Sequence, residues 1–176
     1  NIIDDDYQNH LDKFIKMFGK YEETAPELVF IGKNLKRLWK RNRQLVSQVT
    51  MDKVTGILNR LGFFHVIKPL IYLAQRHKYN IVFLMLDIDN FSKLLDEYGN
   101  EKGDELLKAV AHILKSHIRV SDIAGRYSRE EFIVFFPDIQ RDFIYDVAEK
   151  IRLVVEMETA KLMPITVSIG ASCGIL

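Results

Sequence analysis

The run Leu84-Met85-Leu86-Asp87-Ile88-Asp89-Asn90-Phe91 is an apolar segment that stops abruptly at two carboxylates, the form of a buried strand leaving its sheet. Acids at such an end sit where a metal or a phosphate can approach the core. Further along, Arg126-Tyr127-Ser128-Arg129-Glu130-Glu131-Phe132-Ile133-Val134-Phe135-Phe136 opens a second apolar strand with paired glutamates after a polar turn. If the two strands are neighbours, Asp87, the Ile88 carbonyl and Glu130 make an oxygen-rich site suited to magnesium, which favours carboxylates, carbonyls and nucleotide phosphates. Asp89 reads better as a structural cap than as a ligand. Glu130 with Glu131 also has the form of an ordinary hairpin charge pair.

Outward from this centre the chain alternates helices and strands. A Gly-containing turn, Asp52-Lys53-Val54-Thr55-Gly56-Ile57-Leu58-Asn59-Arg60, leads into a helix over 60–77. Asp52 and Arg60 bracket that turn and are expected to pair across it. After the strand over 81–87, a short helix over 91–98, a polar loop over 99–104 and a longer helix carrying Leu106, Leu107, Val110, Ile113, Leu114 and Ile118 are expected. Strands over 123–127 and 131–136 read as a hairpin that Pro137 stops. A helix over 139–157 and a last strand over 164–170 complete an α/β sheet covered by helices.

Before this domain, boundary 50/51, lies a helical extension. Residues 4–18 carry Tyr7, Leu11, Phe14, Ile15 and Phe18 on one helical face. In the next helix, started by Pro26, residues Leu28, Ile31, Leu35, Leu38, Asn42, Leu45 and Val49 follow heptad spacing, with Asn42 at an a position. Two readings stay open: a parallel two-stranded coiled coil, or an amphipathic helix packed on the first helix or on the domain. The basic run Lys36-Arg37, Lys40-Arg41 and Arg43 reads as a solvated outer face.

With 176 residues, 48% of them apolar, the chain can bury one real core plus an appendage. Its 25 Lys and Arg against 24 acids argue for neither generic nucleic-acid binding nor adhesion to an anionic membrane. The lone Cys173 permits no internal disulfide, and the five scattered histidines lack zinc-ligand spacing, so a cytoplasmic setting fits. No apolar run approaches the ~20 residues that span a bilayer. A start at Asn1 with no secretory pattern reads as a piece of something longer, with an upstream sensor domain expected.

The order of motifs resembles the GGDEF family, the diguanylate cyclases that join two GTP molecules into cyclic di-GMP. It rests on Asp52…Thr55-Gly56…Asn59-Arg60, Asp87-Ile88-Asp89-Asn90-Phe91, Tyr98-Gly99…Gly103-Asp104, Arg119…Asp122, Arg126-Tyr127, Glu131-Phe132 and Val167-Ser168-Ile169-Gly170. The resemblance implies a five-stranded, mostly antiparallel sheet with flanking helices, similar to polymerase palms and nucleotidyl cyclases. It implies magnesium or manganese on Asp87, the Ile88 carbonyl and Glu130, a catalytic role for Glu131 with Glu130, and guanine binding by Asp104. An inhibitory cyclic di-GMP site is implied at Arg119 and Asp122, with Lys150 at the position of a further basic residue.

Three departures stand against turnover. The signature reads Ser128-Arg129-Glu130-Glu131-Phe132, without the two glycines that allow a tight hairpin and close approach of phosphates. Arg129 is expected to reach the acids instead. The guanine-binding Asn of the family is Leu95, and the usual Lys after Phe91 is Ser92. The expectation is therefore a degenerate domain that binds cyclic di-GMP or transmits a signal as a homodimer through the helix over 28–49. The alternatives are an atypical active cyclase using GTP and a docking module that binds no nucleotide.

Overall fold

A computed structural model describes Lys13, Lys16 and residues 26–175, and the chain divides into two compact units, Asn1–Gln48 and Val49–Leu176. The helix expected over 4–18 lies outside the described residues apart from Lys13 and Lys16, which are helical. Helix α1 (Pro26–Thr50) opens on proline, whose missing N–H costs nothing there, and continues through Leu, Lys, Arg and Gln, all good helix formers. On its heptad seam Leu38, Asn42, Leu45 and Val49 are exposed. No described helix is long and apolar enough to cross a membrane.

The second unit is built on one five-stranded sheet in the order β1-β3-β4-β2-β5. Its strands are β1 (Leu58–Asn59), β2 (Asn80–Ile88), β3 (Ile123–Arg126), β4 (Glu131–Pro137) and β5 (Val167–Ile175). β1 runs parallel to β3, and every other pairing is antiparallel. The helices are α2 (Arg60–His77), α3 (Phe91–His117) and α4 (Ile144–Thr159). Strand alternation sorts the core into two layers. Val82, Leu84, Leu86 and Ile88 of β2, with Phe132, Val134 and Phe136 of β4, pack with the apolar faces of α3 and α4. Ile81, Ile133 and Phe135 pack with Phe63, Ile67 and Ala74 of α2, joined by Phe83 and Met85.

Several boundaries differ from the sequence reading. The expected loop over 99–104 is helical except for Gly99, whose φ of 82° and ψ of 168° make a kink inside α3. Glycine adopts that backbone freely, so the chain bends there and resumes its helix without a loop. α4 starts only at Ile144, because Arg141–Phe143 form a 3₁₀ turn after the extended Gln140. β1 is a two-residue strand where the sequence suggests a turn alone, and β5 begins at Val167 rather than Pro164. Proline's missing N–H keeps Pro164 out of the ladder.

Candidate functional site

Register places the acids. Asp87 pairs with Glu131 across β2 and β4, and directly opposed residues share a face, so both carboxylates project on the α2 side of the sheet. Burial first, and then the charges of Glu130, Glu131 and Asp89, push the Asp87 carboxyl above its ordinary range. Asp89 takes no part in capping α3, whose N-cap Asn90 makes no side-chain bond. Its two oxygens instead accept from Thr166 Oγ1 at 2.6 Å and Ser168 Oγ at 2.7 Å, tying the end of β2 to β5. Asp89 is thus structural, as a cross-strand tie rather than a cap.

The hairpin between β3 and β4 is held from below. Arg126 donates from Nε to the Ser128 carbonyl at 3.1 Å and from Nη2 to the Arg129 carbonyl at 2.6 Å. Its Nη1 reaches Asp52 Oδ1 at 3.1 Å, an oxygen that also accepts from the Thr55 N–H and hydroxyl. Asp52 therefore pairs with Arg126, not Arg60. Arg60 lies over the Tyr127 ring, 4.6 Å from its centroid. Burial raises the Asp52 carboxyl, but the Thr55 bonds and Arg126 outweigh it and hold it below its usual value. The Arg129 side chain makes no ion pair with the acids, whereas Ser128 Oγ donates to Glu131 Oε2 at 2.5 Å. Nothing in the sequence singles out that bond; Arg126, a lone cation closing a short apolar strand, is a signal that was open to reading.

A divalent cation suits this chemistry in part. Crowding of acids that raises one carboxyl is the repulsion a cation relieves. Among the described residues no three His, Cys, Asp or Glu side chains gather about one point. The donors that the resemblance implies, Asp87, Glu130 and the Ile88 carbonyl, would leave the remaining positions to water and phosphate, as magnesium prefers.

At the position implied to read guanine, Leu95 is half-buried and packed against Gly103. A β-carbon at 103 would meet the terminal methyl of Leu95, which would have to turn aside to admit it. Asp104, one residue on, is exposed and has no partner among the described residues. The polar pair expected of a base-reading pocket is replaced by one carboxylate beside an apolar contact.

A second cluster forms on another part of the domain. Arg119, Asp122 and Lys150 line one cavity of about 330 Å³, floored by Ile118, Phe136 and Ile139. Asp122 is only 8% exposed. Its Oδ2 accepts from the Arg119 N–H at 2.8 Å and its Oδ1 from Ser121 Oγ at 3.2 Å, so it shapes the turn that presents Arg119. His117, which sequence reading passed over, also lines this cavity; its Nδ1 lies 2.9 Å from the Ile113 carbonyl oxygen.

The family description "Diguanylate cyclase, GGDEF domain" matches residues 49–176. The chain is 37% identical over 132 residues to diguanylate cyclase DgcM of Escherichia coli strain K12, a match covering 73% of this chain and 32% of that protein. It is 35% identical over 162 residues to diguanylate cyclase A of Treponema denticola, covering 88% and 43%. The chain thus spans less than half the length of these curated relatives. Among solved structures, the coiled coil and GGDEF domain of DgcB from Caulobacter crescentus, in complex with c-di-GMP, superimposes with a TM-score of 0.75 at 25% identity, covering 85% of this chain and 82% of that one. Five strands in this order, acids facing across β2 and β4, and a family match over the whole second unit place the chain in the GGDEF family, the domain family of the diguanylate cyclases of cyclic di-GMP signalling.

Proposed function

We propose that this domain is a cyclic di-GMP receptor that no longer makes the dinucleotide, and that it passes the bound state on through a dimer formed by α1. One observation carries the receptor reading: Arg119, Asp122 and Lys150 share a cavity that has no residue in common with the acid end of the sheet. A guanidinium forks onto a guanine edge or a phosphate, and a carboxylate accepts from guanine N–H groups. Loss of catalysis therefore leaves this site untouched. The c-di-GMP complex of DgcB supports the ligand class.

The silence of the cyclase rests on Leu95 and the hairpin. A pocket that loses its hydrogen-bond readout discriminates poorly. Arg129 and Ser128 add side chains where phosphates would need the bare backbone. A second reading, an active cyclase, is favoured by the charges of Glu130 and Glu131 acting on Asp87. In that case Asp87, Glu130 and the Ile88 carbonyl hold magnesium, which would supply neutralisation of phosphate charge.

Calorimetry on the full chain tests the proposal. Cyclic di-GMP should bind saturably, binding should vanish in Arg119→Ala and weaken in Asp122→Asn, and it should persist in Glu131→Ala. Incubation with GTP and magnesium or manganese should give no sustained product by chromatography. Absence of binding at ~100 µM ligand with the fold intact defeats the receptor reading, since affinities weaker than this leave too little free energy for a signal. Turnover abolished by Asp87→Ala defeats the silence.

A further inference from the structure

The hairpin between β3 and β4 engages every polar group of Ser128. Its N–H donates to the Glu131 carbonyl at 3.3 Å, beside the Tyr127 N–H, which reaches the same oxygen at 2.8 Å. Its carbonyl accepts from Arg126 Nε at 3.1 Å, and its hydroxyl donates to Glu131 Oε2 at 2.5 Å. Arg126 is itself held by Asp52 Oδ1 and the Arg129 carbonyl. Ser128 is therefore a fixed post, although it stands exposed in the turn.

Glu131 stands directly opposite Asp87 in the strand register, and Glu130 precedes it in the chain. Pairing and adjacency alone would bring three carboxylates about one point, but among the described residues no three such side chains gather. The bond to Ser128 supplies a physical reason. A carboxylate that accepts from a hydroxyl of the turn is drawn toward the turn, and has to give up that charge-assisted bond to join a cation at Asp87. Glycine at this position would offer no hydroxyl. Arg129 is not the restraint, since its side chain makes no ion pair among the described residues.

We infer that Ser128 is a positioning residue whose hydroxyl holds Glu131 off the divalent-cation position of Asp87, Glu130 and the Ile88 carbonyl, so that a cation there meets two carboxylates rather than three. The inference rests on that donor set, which the family resemblance implies, and adds which side chain withholds the third acid. Oxygen-ligated cation sites tighten as charged ligands are added, so releasing Glu131 strengthens the site. A hydrogen bond to a charged group shifts an equilibrium about tenfold, and less where water competes, as in this exposed turn.

Manganese ion added alone to the full chain, followed by titration calorimetry, reads the effect without nucleotide or turnover. Ser128→Ala should tighten manganese binding at least about threefold. Ser128→Thr, which keeps a hydroxyl, should stay near the parent, and Asp87→Ala should abolish binding. In a Glu131→Gln background, Ser128→Ala should change the affinity less than about twofold, because the group it releases is no longer a carboxylate. Position 128 is exposed, so the melting temperature should hold; where Ser128→Ala lowers it, Ser128→Gly takes its place. If Ser128→Ala binds as the parent does while Asp87→Ala abolishes binding, the restraint on Glu131 is wrong and the cation site stands. Equal tightening in the Glu131→Gln background means that Ser128 acts through the turn backbone, which also overturns the inference. If Asp87→Ala leaves binding unaltered, or if neither the parent nor Ser128→Ala binds manganese, the donor set fails and the inference falls with it. None of these outcomes touches the Arg119 receptor, whose test is separate.

Discussion

Single side chains here divide between holding the fold and crowding charge, and pH separates the two roles. The Asp52 and Arg126 side chains are 21% and 11% exposed, so removing one charge leaves the other partly buried without its partner. Asp52→Asn should cost about 2–3 kcal/mol in denaturant unfolding at neutral pH, less than a fully buried pair because solvent reaches both groups. The Asp52 carboxyl is held below its ordinary value of 3.8, so its folded form prefers to be charged. Its contribution is present above the unfolded value and lost as pH falls through the folded one, so parent and variant should converge below about pH 3.8. A constant difference down to acid would remove the charge from the explanation. Asp87 has the opposite sign. Its carboxyl is raised, so the charged form opposes folding above that raised value and the penalty fades as pH falls. In metal-free protein at neutral pH, Asp87→Asn should therefore raise the melting temperature. Any stabilisation by added magnesium should disappear in the same variant.

At the scale of elements, the seam of α1 is the unsettled surface. Leu38, Leu45 and Val49 are 61%, 53% and 57% exposed within one chain, an apolar stripe left to water. A parallel second copy would cover it and set Asn42 against its counterpart, which lowers stability while fixing register. Light scattering should find a dimer, and Asn42→Ile should raise its melting temperature while broadening the distribution of oligomers. A monomer at high protein concentration would dispose of the seam as an interface. Much of the element pattern was legible beforehand for a physical reason: the central strands β2 and β4 are buried on both faces and read as unbroken apolar runs. What escaped was set by tertiary contact. β1 is too short to carry a period and exists because β3 offers it a parallel edge. The loop over 99–104 has a loop's composition, yet Gly99 alone makes the bend and Leu106, Leu107 and Val110 hold the rest of α3 on the core. At the candidate site, the two acid-bearing strands could be read as neighbours, but the register that sets Asp87 opposite Glu131 comes from the fold. The partner of Asp52 could not, since Arg60 and Arg126 are both arginines and only the fold brings one of them near.

For the molecule as a whole, the N-terminal edge of the second unit is held by a few hydrogen bonds. The second unit carries both apolar layers of the sheet, so it has the core needed to fold without residues 1–48. Its N-terminal edge is fastened by Asn59, whose Nδ2 donates to the Val49 carbonyl at 2.8 Å and to the Met51 carbonyl at 3.3 Å. The same side chain caps α2, accepting from the Gly62 N–H at 2.9 Å. A fragment of residues 49–176 keeps all three bonds, whereas one of residues 53–176 loses both carbonyl acceptors and also Asp52, the partner of Arg126. The first fragment should unfold cooperatively near the stability of the parent domain and run as a monomer, having lost the α1 seam. The second should be weaker by at least about 4 kcal/mol, from two ordinary hydrogen bonds and a partly buried ion pair, because it also loses the Asp52 backbone bonds to Ile57 and Gly56 and the Met51–Leu58 bridge. Adding Arg126→Ala should cost the longer fragment far more than the shorter one, because in the shorter one its ion-pair partner has already gone. Equal stability of the two fragments in urea would mean that the Asn59 and Asp52 contacts contribute little, and that the division between stalk and domain lies further into the chain.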